Sequence, residues 1–308
     1  MKPLLIVVVG PTAIGKTALS IALAKALNTE IISSDSRQFY KELAIGTAKP
    51  TEEERAEAVH HFVDFLSINE EYSAGQFERD VIAFLDNFFK TKSCAVMVGG
   101  SGLFVKAVIE GLDDLPRNTI HREALNERFE KDGIAPLLEE LKSLDPKVHD
   151  YLDVHNPQRV IRALEVCLAS GKPYSAQRSN QAKERPFDVL LLGLSGEREW
   201  IYERINQRTL QMMEEGFLDE ARSVFEYRNL NALKTVGYTE LFAHLNGEYD
   251  LERAVELIQQ NTRRFAKRQL TWFKKSTNTH WMDAQKPEEI VSWVKNELAN
   301  RTSESSNR

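Results

Sequence analysis

Residues 4–17 read LLIVVVGPTAIGKT, an uninterrupted apolar run that passes directly into a loop bounded by glycines. The apolar run predicts a buried strand over residues 2–9, and leucines at positions 19, 23 and 27 predict a helix over about residues 15–27. Residues 10–17 fit the pattern G-x-x-x-x-G-K-[ST], in the strand-to-helix position that a phosphate-binding loop requires. The stretch therefore predicts a P-loop core that binds a phosphate or diphosphate, without deciding which one.

The chemistry expected of this loop follows from its residue types. Glycines let the backbone turn so that successive N–H groups point at phosphate oxygens, and the helix N-terminus adds positive charge. The Lys16 ammonium neutralises phosphate charge, and the Thr17 hydroxyl is a ligand suited to Mg²⁺. We therefore assign the phosphate site to Gly10, Pro11, Thr12, Ala13, Ile14, Gly15, Lys16 and Thr17, with Thr17 as the metal ligand.

Strand and helix patterns alternate through the first third of the chain and return near its end. Short apolar strands are expected at 30–33, 94–98 and 187–194, with helices between them, which is typical of a parallel sheet. Residues 113–185 show helices and polar turns without a convincing strand. The predicted fold class is therefore α/β: a P-loop NTPase-like parallel sheet core with helices on both faces (1–112 and 186–300), an inserted all-helical subdomain (113–185) and a disordered tail (301–308).

Composition and the absence of targeting patterns indicate the cellular compartment expected for this chain. The 308 residues include no apolar run of about 18 residues, and the N-terminal strand lacks the cleavage site of a secretory signal. Two distant cysteines, Cys94 and Cys167, are expected to be small buried hydrophobes. We expect a cytoplasmic protein without membrane contact. The net charge of −6 argues mildly against nucleic-acid binding, although binding follows local patches rather than the sum.

A polar cluster follows the second predicted strand. Asp35 lies where open α/β sheets bind ligands, so it is a candidate to hold Mg²⁺ or to accept a proton from a nucleophile. Gln38 has an amide that suits the edge of a base. The alternative is that this cluster only caps the following helix.

A basic segment near the C-terminus is the local patch that could bind RNA. Residues 263–275 contain six positive charges and no acid, with aromatic residues expected to pack inward. The alternative is an ordinary solvated helix face. His60 and His61 suggest a metal site, but without a third ligand we expect them to pack at a helix end.

Several motifs together make the sequence recognisable. GPTAIGKT at 10–17, DSRQ at 35–38 and IGTAKP at 45–50 are followed by VGGS at 98–101 and NPQR at 156–159. Arg204 to Arg208, VGY at 236–238 and AKRQ at 266–269 complete the set. In this order, over about residues 4–285, the chain closely resembles the tRNA dimethylallyltransferases, also called tRNA isopentenyltransferases.

The resemblance implies an activity and site residues. The phosphate loop would hold dimethylallyl diphosphate with Mg²⁺, and the acceptor would be N6 of the adenine 3′ to the anticodon, flipped into a channel. Asp35 matches the general base and Arg208 the arginine on the leaving diphosphate. Ser101 stands where threonine is usual and retains the hydroxyl that contacts the amine. The implied catalytic residues are Asp35, Ser101, Arg208, Lys16 and Thr17.

The expected partners are the tRNA anticodon stem-loop and dimethylallyl diphosphate, with no obligate protein partner and a monomeric state by family habit. Thr239 departs from the family, where arginine or lysine is common, and is left out of the expected contacts. The expected tRNA-binding residues are Asp35, Ser36, Arg37, Gln38, Ser101, Arg122, Gln158, Arg159, Val160, Ile161, Arg162, Lys234, Gly237, Tyr238, Arg264, Lys267 and Arg268.

Three other functions stay open on the residues alone. A P-loop small-molecule kinase using ATP explains the loop but neither the helical insert nor the basic helix. An adenine-nucleotide isopentenyltransferase of the cytokinin type shares the chemistry, although the insert and the basic helix favour tRNA. A non-enzymatic, phosphate-sensing RNA-binding protein would leave Asp35, Ser101 and Arg208 without a common purpose.

Overall fold

The computed structural model describes residues 1–179 and 181–306 and divides into two compact units. The first unit combines Met1–Ile109 with Glu184–Arg308, and the second is Glu110–Lys183. These divisions lie within three residues of the boundaries expected at 112/113 and 185/186.

The first unit is built on one parallel sheet. Its described strands are β1 (Leu4–Val9), β2 (Ile31–Ser33), β3 (His60–His61), β4 (Cys94–Val98), β5 (Asp188–Ser195) and β6 (Thr279–Asp283), in the order β3-β2-β4-β1-β5-β6. Strand β1 lies at the centre, with Leu4 opposite Cys94 on one side and Asp188 on the other. Because all neighbouring pairs are parallel, the carboxyl ends of the strands meet at one edge.

Helices follow these strands and cover both faces of the sheet. In chain order the described helices are α1 (Lys16–Leu27), α2 (Glu52–Glu57), α3 (Ala74–Phe88), α4 (Gly102–Ile109), α5 (Thr119–Asp132), α6 (Ala135–Leu144), α7 (Pro157–Ser170), α8 (Arg198–Glu214), α9 (Phe217–Ser223), α10 (Tyr238–Leu245), α11 (Leu251–Phe273) and α12 (Pro287–Ser306).

The core has two layers because successive strand residues point to opposite faces. Leu5, Val7 and Val9 of β1 join a core that includes Phe39 and Phe77. On the other face, Leu4, Ile6 and Val8 pack with Leu19 and Leu23 of α1. A run of six fully buried residues thus serves both faces, as the uninterrupted apolar pattern predicted. The α/β class with helices on both faces is confirmed.

In the second unit every described element of regular secondary structure is a helix, and the unit has its own core. Helices α5, α6 and α7 bury Leu125, Leu137, Leu141, Val160 and Leu164 together. The buried carboxylate of Asp145 receives hydrogen bonds from the Ser175 backbone N–H and hydroxyl, at 2.7 and 2.8 Å, and also from the Tyr151 hydroxyl. These bonds lower the pKa of Asp145 although burial acts in the opposite direction.

Three elements differ from the sequence-based expectations. His60 and His61 form a short edge strand beside β2 instead of packing at a helix end. Strand β6 and helix α12 follow the basic helix where no specific element was expected. The expected tail at 301–308 is wrong up to Ser306, because α12 continues and Arg301 pairs with Asp188 of β5. Residues 307 and 308 lie outside the described residues.

No helix over 1–179 and 181–306 is long and apolar enough to cross a membrane. Within the same ranges, no group of three or more His, Cys, Asp or Glu side chains is arranged to hold a metal ion. Cys94 and Cys167 are buried free thiols, and burial raises the pKa of each.

Candidate active site

The phosphate loop turns tightly between β1 and α1. Gly10 has φ 150°, and a Cβ atom there would lie 2.9 Å from the carbonyl oxygen of Leu194, so the position excludes a side chain. Ala13 and Gly15 also have positive φ, at 63° and 101°. This sequence of backbone conformations places the start of α1, including Lys16 and Thr17, at the carboxyl edge of the sheet.

Lys16 folds back over its own loop. Its ammonium donates hydrogen bonds to the carbonyl oxygens of Gly10 and Pro11, at 3.1 and 2.8 Å. Burial lowers the pKa of Lys16 to about 8, with Asp35 acting to raise it and Arg208 to lower it further. An anion beside this ammonium would relieve the cost of holding a buried positive charge.

Asp35 lies at the boundary of two cavities. The small cavity, of about 40 Å³, is lined by Lys16, Thr17, Ser33, Asp35, Gln38, Pro50, His60, Val98 and Gly99. The large cavity, of about 710 Å³, is also lined by Asp35. Among the expected site residues, its lining includes Thr12, Ala13, Asp35, Ser36, Arg37, Ser101, Arg208, Lys234, Gly237 and Arg268. Asp35 is therefore the carboxylate that lines both cavities.

The two expected proton-handling groups are held by backbone contacts. One Asp35 carboxylate oxygen accepts a hydrogen bond from the Arg37 N–H at 3.1 Å. Ser101 Oγ accepts from the Ser36 N–H at 3.1 Å and lies 3.2 Å from the Ser36 hydroxyl. Because Ser36 follows Asp35 directly, these contacts set the Ser101 hydroxyl beside the base candidate across the end of β2 and the start of α4.

Arg208 and Arg204 project from α8 with different partners. Arg208 lines the large cavity and forms no hydrogen bond or ion pair with the described part of the chain. Burial lowers the pKa of Arg208, while the charge of Asp35 acts to raise it. Arg204 instead donates to the carbonyl oxygen of Ala13 at 2.7 Å and stacks over Trp200. Arg204 therefore supports the phosphate loop, and Arg208 remains available to an anionic ligand.

Gln269 of α11 links the phosphate loop to the end of β4. Its side-chain oxygen accepts from the Thr12 N–H at 2.8 Å, and its amide nitrogen donates to the Gly100 carbonyl at 3.0 Å. The side chain is buried. The basic helix is thereby tied to the loop beside the candidate diphosphate site.

A second part of the large cavity's lining, the glycine-lined wall, is formed by the loop at residues 46–48. The Glu220 carboxylate of α9 accepts three consecutive backbone N–H groups, those of residues 44–46, at 2.8–2.9 Å. It also accepts from the Tyr238 hydroxyl at 2.5 Å. The rings of Phe217 and Tyr238 pack so closely on Gly46 that a Cβ there would overlap them. These contacts fix the loop that contributes Gly46, Thr47 and Ala48 to the cavity.

Arg37 and Gln38 both have structural partners that the sequence did not indicate. Arg37 donates to the carbonyl oxygens of Asn231 and Ala232 at 2.7 and 3.0 Å, and to that of Lys234 at 3.4 Å. The Gln38 amide nitrogen donates to the carbonyls of residues 47 and 48, and its oxygen accepts from Ser33. The proposed base-reading amide of Gln38 is therefore already bonded within the protein.

Tyr238, Val160 and Ile161 are expected tRNA contacts whose side chains the structure buries. Each is fully buried, at 0% exposure, so none presents a side chain to RNA in this structure. Tyr238 serves the Glu220 contact, and its burial raises the pKa of its hydroxyl. Val160 and Ile161 belong to the apolar face of α7 and fill the core of the second unit.

The other expected contacts in the second unit are polar and mostly paired. Arg162 donates to the carbonyls of Leu115 and Pro116 and lies 3.0 Å from Glu165. Arg122 bonds Gln158 at 2.5 Å. Arg159 is exposed and lies 3.6 Å from Asp153. Arg122, Gln158 and Arg162 are thus held by neighbours in their own unit.

The basic helix α11 exposes charge and aromatic surface together. Arg264, Lys267 and Arg268 are exposed, and Arg268 also lines the large cavity. Phe265 and Trp272 line the same cavity and keep more than a third of their surface exposed. The expectation that aromatics of this segment pack inward therefore holds for Phe273 and not for these two.

The residues of the small cavity fit a magnesium ion. Thr17 and Asp35 offer hydroxyl and carboxylate oxygens, the hard ligands that Mg²⁺ prefers. Mg²⁺ commonly uses one or two protein ligands together with substrate phosphates. A buried nitrogen of His60 in the same cavity has no partner among the described residues.

Glu220, Gln269, Phe265 and Trp272 are the site residues that sequence reasoning did not assign. Gln269 stood in a recognised motif, but its reach to Thr12 depends on residues far apart in the chain. No sequence pattern near Glu220 indicates its role, because its backbone partners precede it by about 175 positions. The acid-free run of α11 was the available signal for an exposed functional face around Phe265 and Trp272.

Comparison with known proteins identifies the family. The sequence profile described as IPP transferase matches residues 38–276. A curated tRNA dimethylallyltransferase from Christiangramia forsetii is 50% identical, covering 92% of this chain and 94% of that protein. The crystal structure of a tRNA isopentenylpyrophosphate transferase from Bacillus halodurans matches with TM-score 0.73 and 35% identity over 99% of this chain and 100% of that one. A eukaryotic dimethylallyltransferase acting on tRNA matches with TM-score 0.78 and 26% identity, over 99% and 80%. This chain therefore belongs to the IPP transferase family.

Proposed function

We propose that this chain transfers the dimethylallyl group of dimethylallyl diphosphate to N6 of the adenine directly 3′ to the anticodon in tRNA, releasing diphosphate. The observation that carries the proposal is the position of Asp35. It lines the small cavity with Lys16 and Thr17 and the large cavity with Ser101 and Arg208. A base at this boundary would meet the acceptor amine beside the leaving diphosphate.

The diphosphate end supplies positive charge. The allylic C1–O bond breaks with its electron pair leaving on the diphosphate, so negative charge grows there as positive charge grows on carbon. Lys16, the phosphate-loop N–H groups and Arg208 are preorganised to stabilise that negative charge. Bound Mg²⁺ would supply further neutralisation of the diphosphate, with Thr17 and Asp35 as the oxygen groups able to hold it.

At the acceptor end of the site, the protein supplies a base for the amine proton and a cavity for the adenine. An adenine amine is a weak nucleophile because its lone pair is delocalised, so the lone pair attacks C1 only when N6 is well positioned. The N6 proton passes to the Asp35 carboxylate as the new C–N bond forms. Ser101, held by Ser36, offers its hydroxyl beside that proton transfer. The cavity of about 710 Å³ has room for a flipped base, and a base bound there would keep water from the allylic carbon.

RNA would approach along α11. Arg264, Lys267 and Arg268 are exposed on this helix, and Lys234 is exposed at the cavity rim. Cations without an acid nearby track a phosphate backbone, while exposed aromatics such as Phe265 and Trp272 suit unstacked bases. The exposed Arg159 in the second unit is the remaining candidate phosphate contact there.

Transfer of radiolabel tests the proposal. Labelled dimethylallyl diphosphate is incubated with unmodified tRNA, with the same tRNA carrying guanine in place of the target adenine, and with AMP and ATP. We expect Mg²⁺-dependent label only in the first tRNA. Label in AMP or ATP would assign the chain to the free-nucleotide reaction instead. Consumption of ATP without prenyl transfer would assign the loop to a kinase.

A further inference from the structure

His60 presents a defined tautomer at the start of β3. Its Nδ1 lies 2.8 Å from the carbonyl oxygen of Ala58. A carbonyl oxygen only accepts, so Nδ1 carries the proton of this contact. Burial lowers the pKa of His60, which favours the neutral ring. In that form Nε2 has a free lone pair and acts as a hydrogen-bond acceptor.

That lone pair has no protein partner. Nε2 is buried and forms no hydrogen bond within residues 1–179 and 181–306. Buried polar atoms are nearly always bonded, and an unpaired acceptor costs about 1–3 kcal/mol. The ring lines the small cavity together with Lys16, Thr17 and Asp35. The orphaned acceptor therefore belongs to the cavity in which we place the cation.

The size and lining of the cavity limit its occupant. About 40 Å³ admits two or three water-sized groups, since each needs at least 10–15 Å³. The occupant must donate a hydrogen bond to Nε2 and also suit a carboxylate and a hydroxyl. A hydrated divalent cation meets all three demands, because Mg²⁺ keeps several of its waters and those waters are strong donors.

We propose that Nε2 of His60 accepts a hydrogen bond from a water molecule of a divalent cation held at Thr17 and Asp35. His60 is then a positioning residue of the cation–diphosphate site, acting through that water. This inference rests on the proposed binding of a diphosphate at the phosphate loop. It gives a role to a histidine that the transfer chemistry itself does not use.

Two substitutions of His60 test the roles of its two ring nitrogens separately. Asparagine in His60→Asn places a donor near Nδ1 and has nothing at Nε2, whereas glutamine in His60→Gln places an acceptor near Nε2. The adjacent His61, which pairs with Glu30 and packs on Phe84, provides the control His61→Gln. Equilibrium dialysis of radiolabelled inorganic diphosphate, with saturating Mg²⁺ and with EDTA, measures the cation-dependent affinity without any prenyl transfer.

We expect His60→Asn to weaken Mg²⁺-dependent diphosphate binding about tenfold, the scale of a lost outer-shell contact, with little change in EDTA. His60→Gln should retain most of the affinity, and His61→Gln all of it. Equal loss in EDTA, no loss in His60→Asn, or the same loss in both His60 variants would overturn the proposal. If tRNA prenylation fails while these binding results hold, only the proposed function falls.

A measurement on the unsubstituted protein avoids dependence on variant folding. In ¹⁵N-histidine-labelled protein, the Nε2 resonance of His60 should move upfield when Mg²⁺ and diphosphate are added together, as expected for an acceptor gaining a hydrogen bond. An Nε2 resonance that stays unchanged at saturation would also overturn the proposal.

Discussion

The two sides of the large cavity differ in how their polar groups are satisfied. Glu220, which fixes the glycine-lined wall, accepts four hydrogen bonds, and Arg37 donates to three carbonyls, so both charged groups already have protein partners. On the phosphate-loop side, Arg208 has no hydrogen-bond partner in the described residues, and the Asp35 carboxylate accepts one backbone N–H. The Glu220 contacts are therefore a scaffold, whereas Arg208 and Asp35 on the loop side keep hydrogen-bonding capacity for ligands.

Removing the unpaired charge on the loop side should have a large effect. Arg208→Met is expected to lower kcat by roughly 10²–10³-fold, because the guanidinium stabilises charge that develops only as the C–O bond breaks. The matched control is Arg222→Met on α9, whose exposed side chain pairs with Asp219. Steady-state kinetics with tRNA that found similar losses in both variants would remove Arg208 from the site.

Weakening the hydrogen bonds of Glu220 should have a smaller effect, and we expect that effect on kcat/KM for tRNA. In Glu220→Gln the neutral amide accepts less strongly, and its NH₂ group faces backbone donors at residues 44–46. We expect kcat/KM for tRNA to fall about tenfold, the scale of one weakened charge-assisted hydrogen bond, with diphosphate affinity unchanged. Tyr238→Phe, which removes one of the four donors, should lose less. A parallel loss of diphosphate affinity would show that the wall does not act on the acceptor side alone.

The exposed face of α11 should contribute affinity in small, salt-dependent steps. Lys267→Ala combined with Arg268→Ala is expected to reduce the slope of log affinity against log salt by about 1–2, since each lost phosphate contact removes about 0.7–0.9. Arg253→Ala, at the other end of the same helix and paired with Glu256, serves as the control. Filter binding of tRNA over a salt series gives the slopes. Equal slopes in the double variant and the parent would take α11 out of the interface.

The smallest expected effect is the uptake of a proton when dimethylallyl diphosphate binds. Because burial lowers the pKa of Lys16 to about 8, its ammonium is about half deprotonated at that pH in the free protein. A bound anion raises the pKa, so dimethylallyl diphosphate binding should take up as much as about half a proton at pH 8 and almost none at pH 6.5. Affinity should correspondingly fall as pH rises through 8. Calorimetry in two buffers of different ionisation enthalpy measures the uptake.

Lys16→Arg provides the control for that proton. Arginine keeps the positive charge but does not titrate in this range, so its uptake at pH 8 should disappear. Uptake that persisted in Lys16→Arg would assign the proton to a different group.

Local pattern was sufficient where neighbours in sequence determine the structure. The apolar run at 4–9 and the loop after it predicted the central strand and the phosphate site. The resemblance placed Asp35, Ser101 and Arg208, which line one cavity in the structure. The edge strands β3 and β6 were missed because their residues are only partly buried and lack a continuous apolar run.

Contacts between distant residues could not be predicted from pattern. Nothing near Glu220 indicates that it will cap three N–H groups at 44–46, and Arg37 meets its carbonyl partners almost 200 residues away. For Val160 and Ile161, the local pattern did indicate the structure. With Leu164 they form one apolar helix face, which predicts burial. They were nevertheless assigned to the expected RNA surface because they adjoin the polar residues of the NPQR motif.

The central claim is that one carboxylate, Asp35, serves the reaction at the boundary of the two cavities. Its most direct test is single-turnover prenyl transfer to tRNA by Asp35→Asn, with the dissociation constants of tRNA and dimethylallyl diphosphate measured separately. We predict a rate at saturating dimethylallyl diphosphate lower by at least about 10²-fold, as for loss of a general base, with the dissociation constant of tRNA within about threefold of the parent. An undiminished rate, or a loss of tRNA binding as large as the loss of rate, would contradict the account.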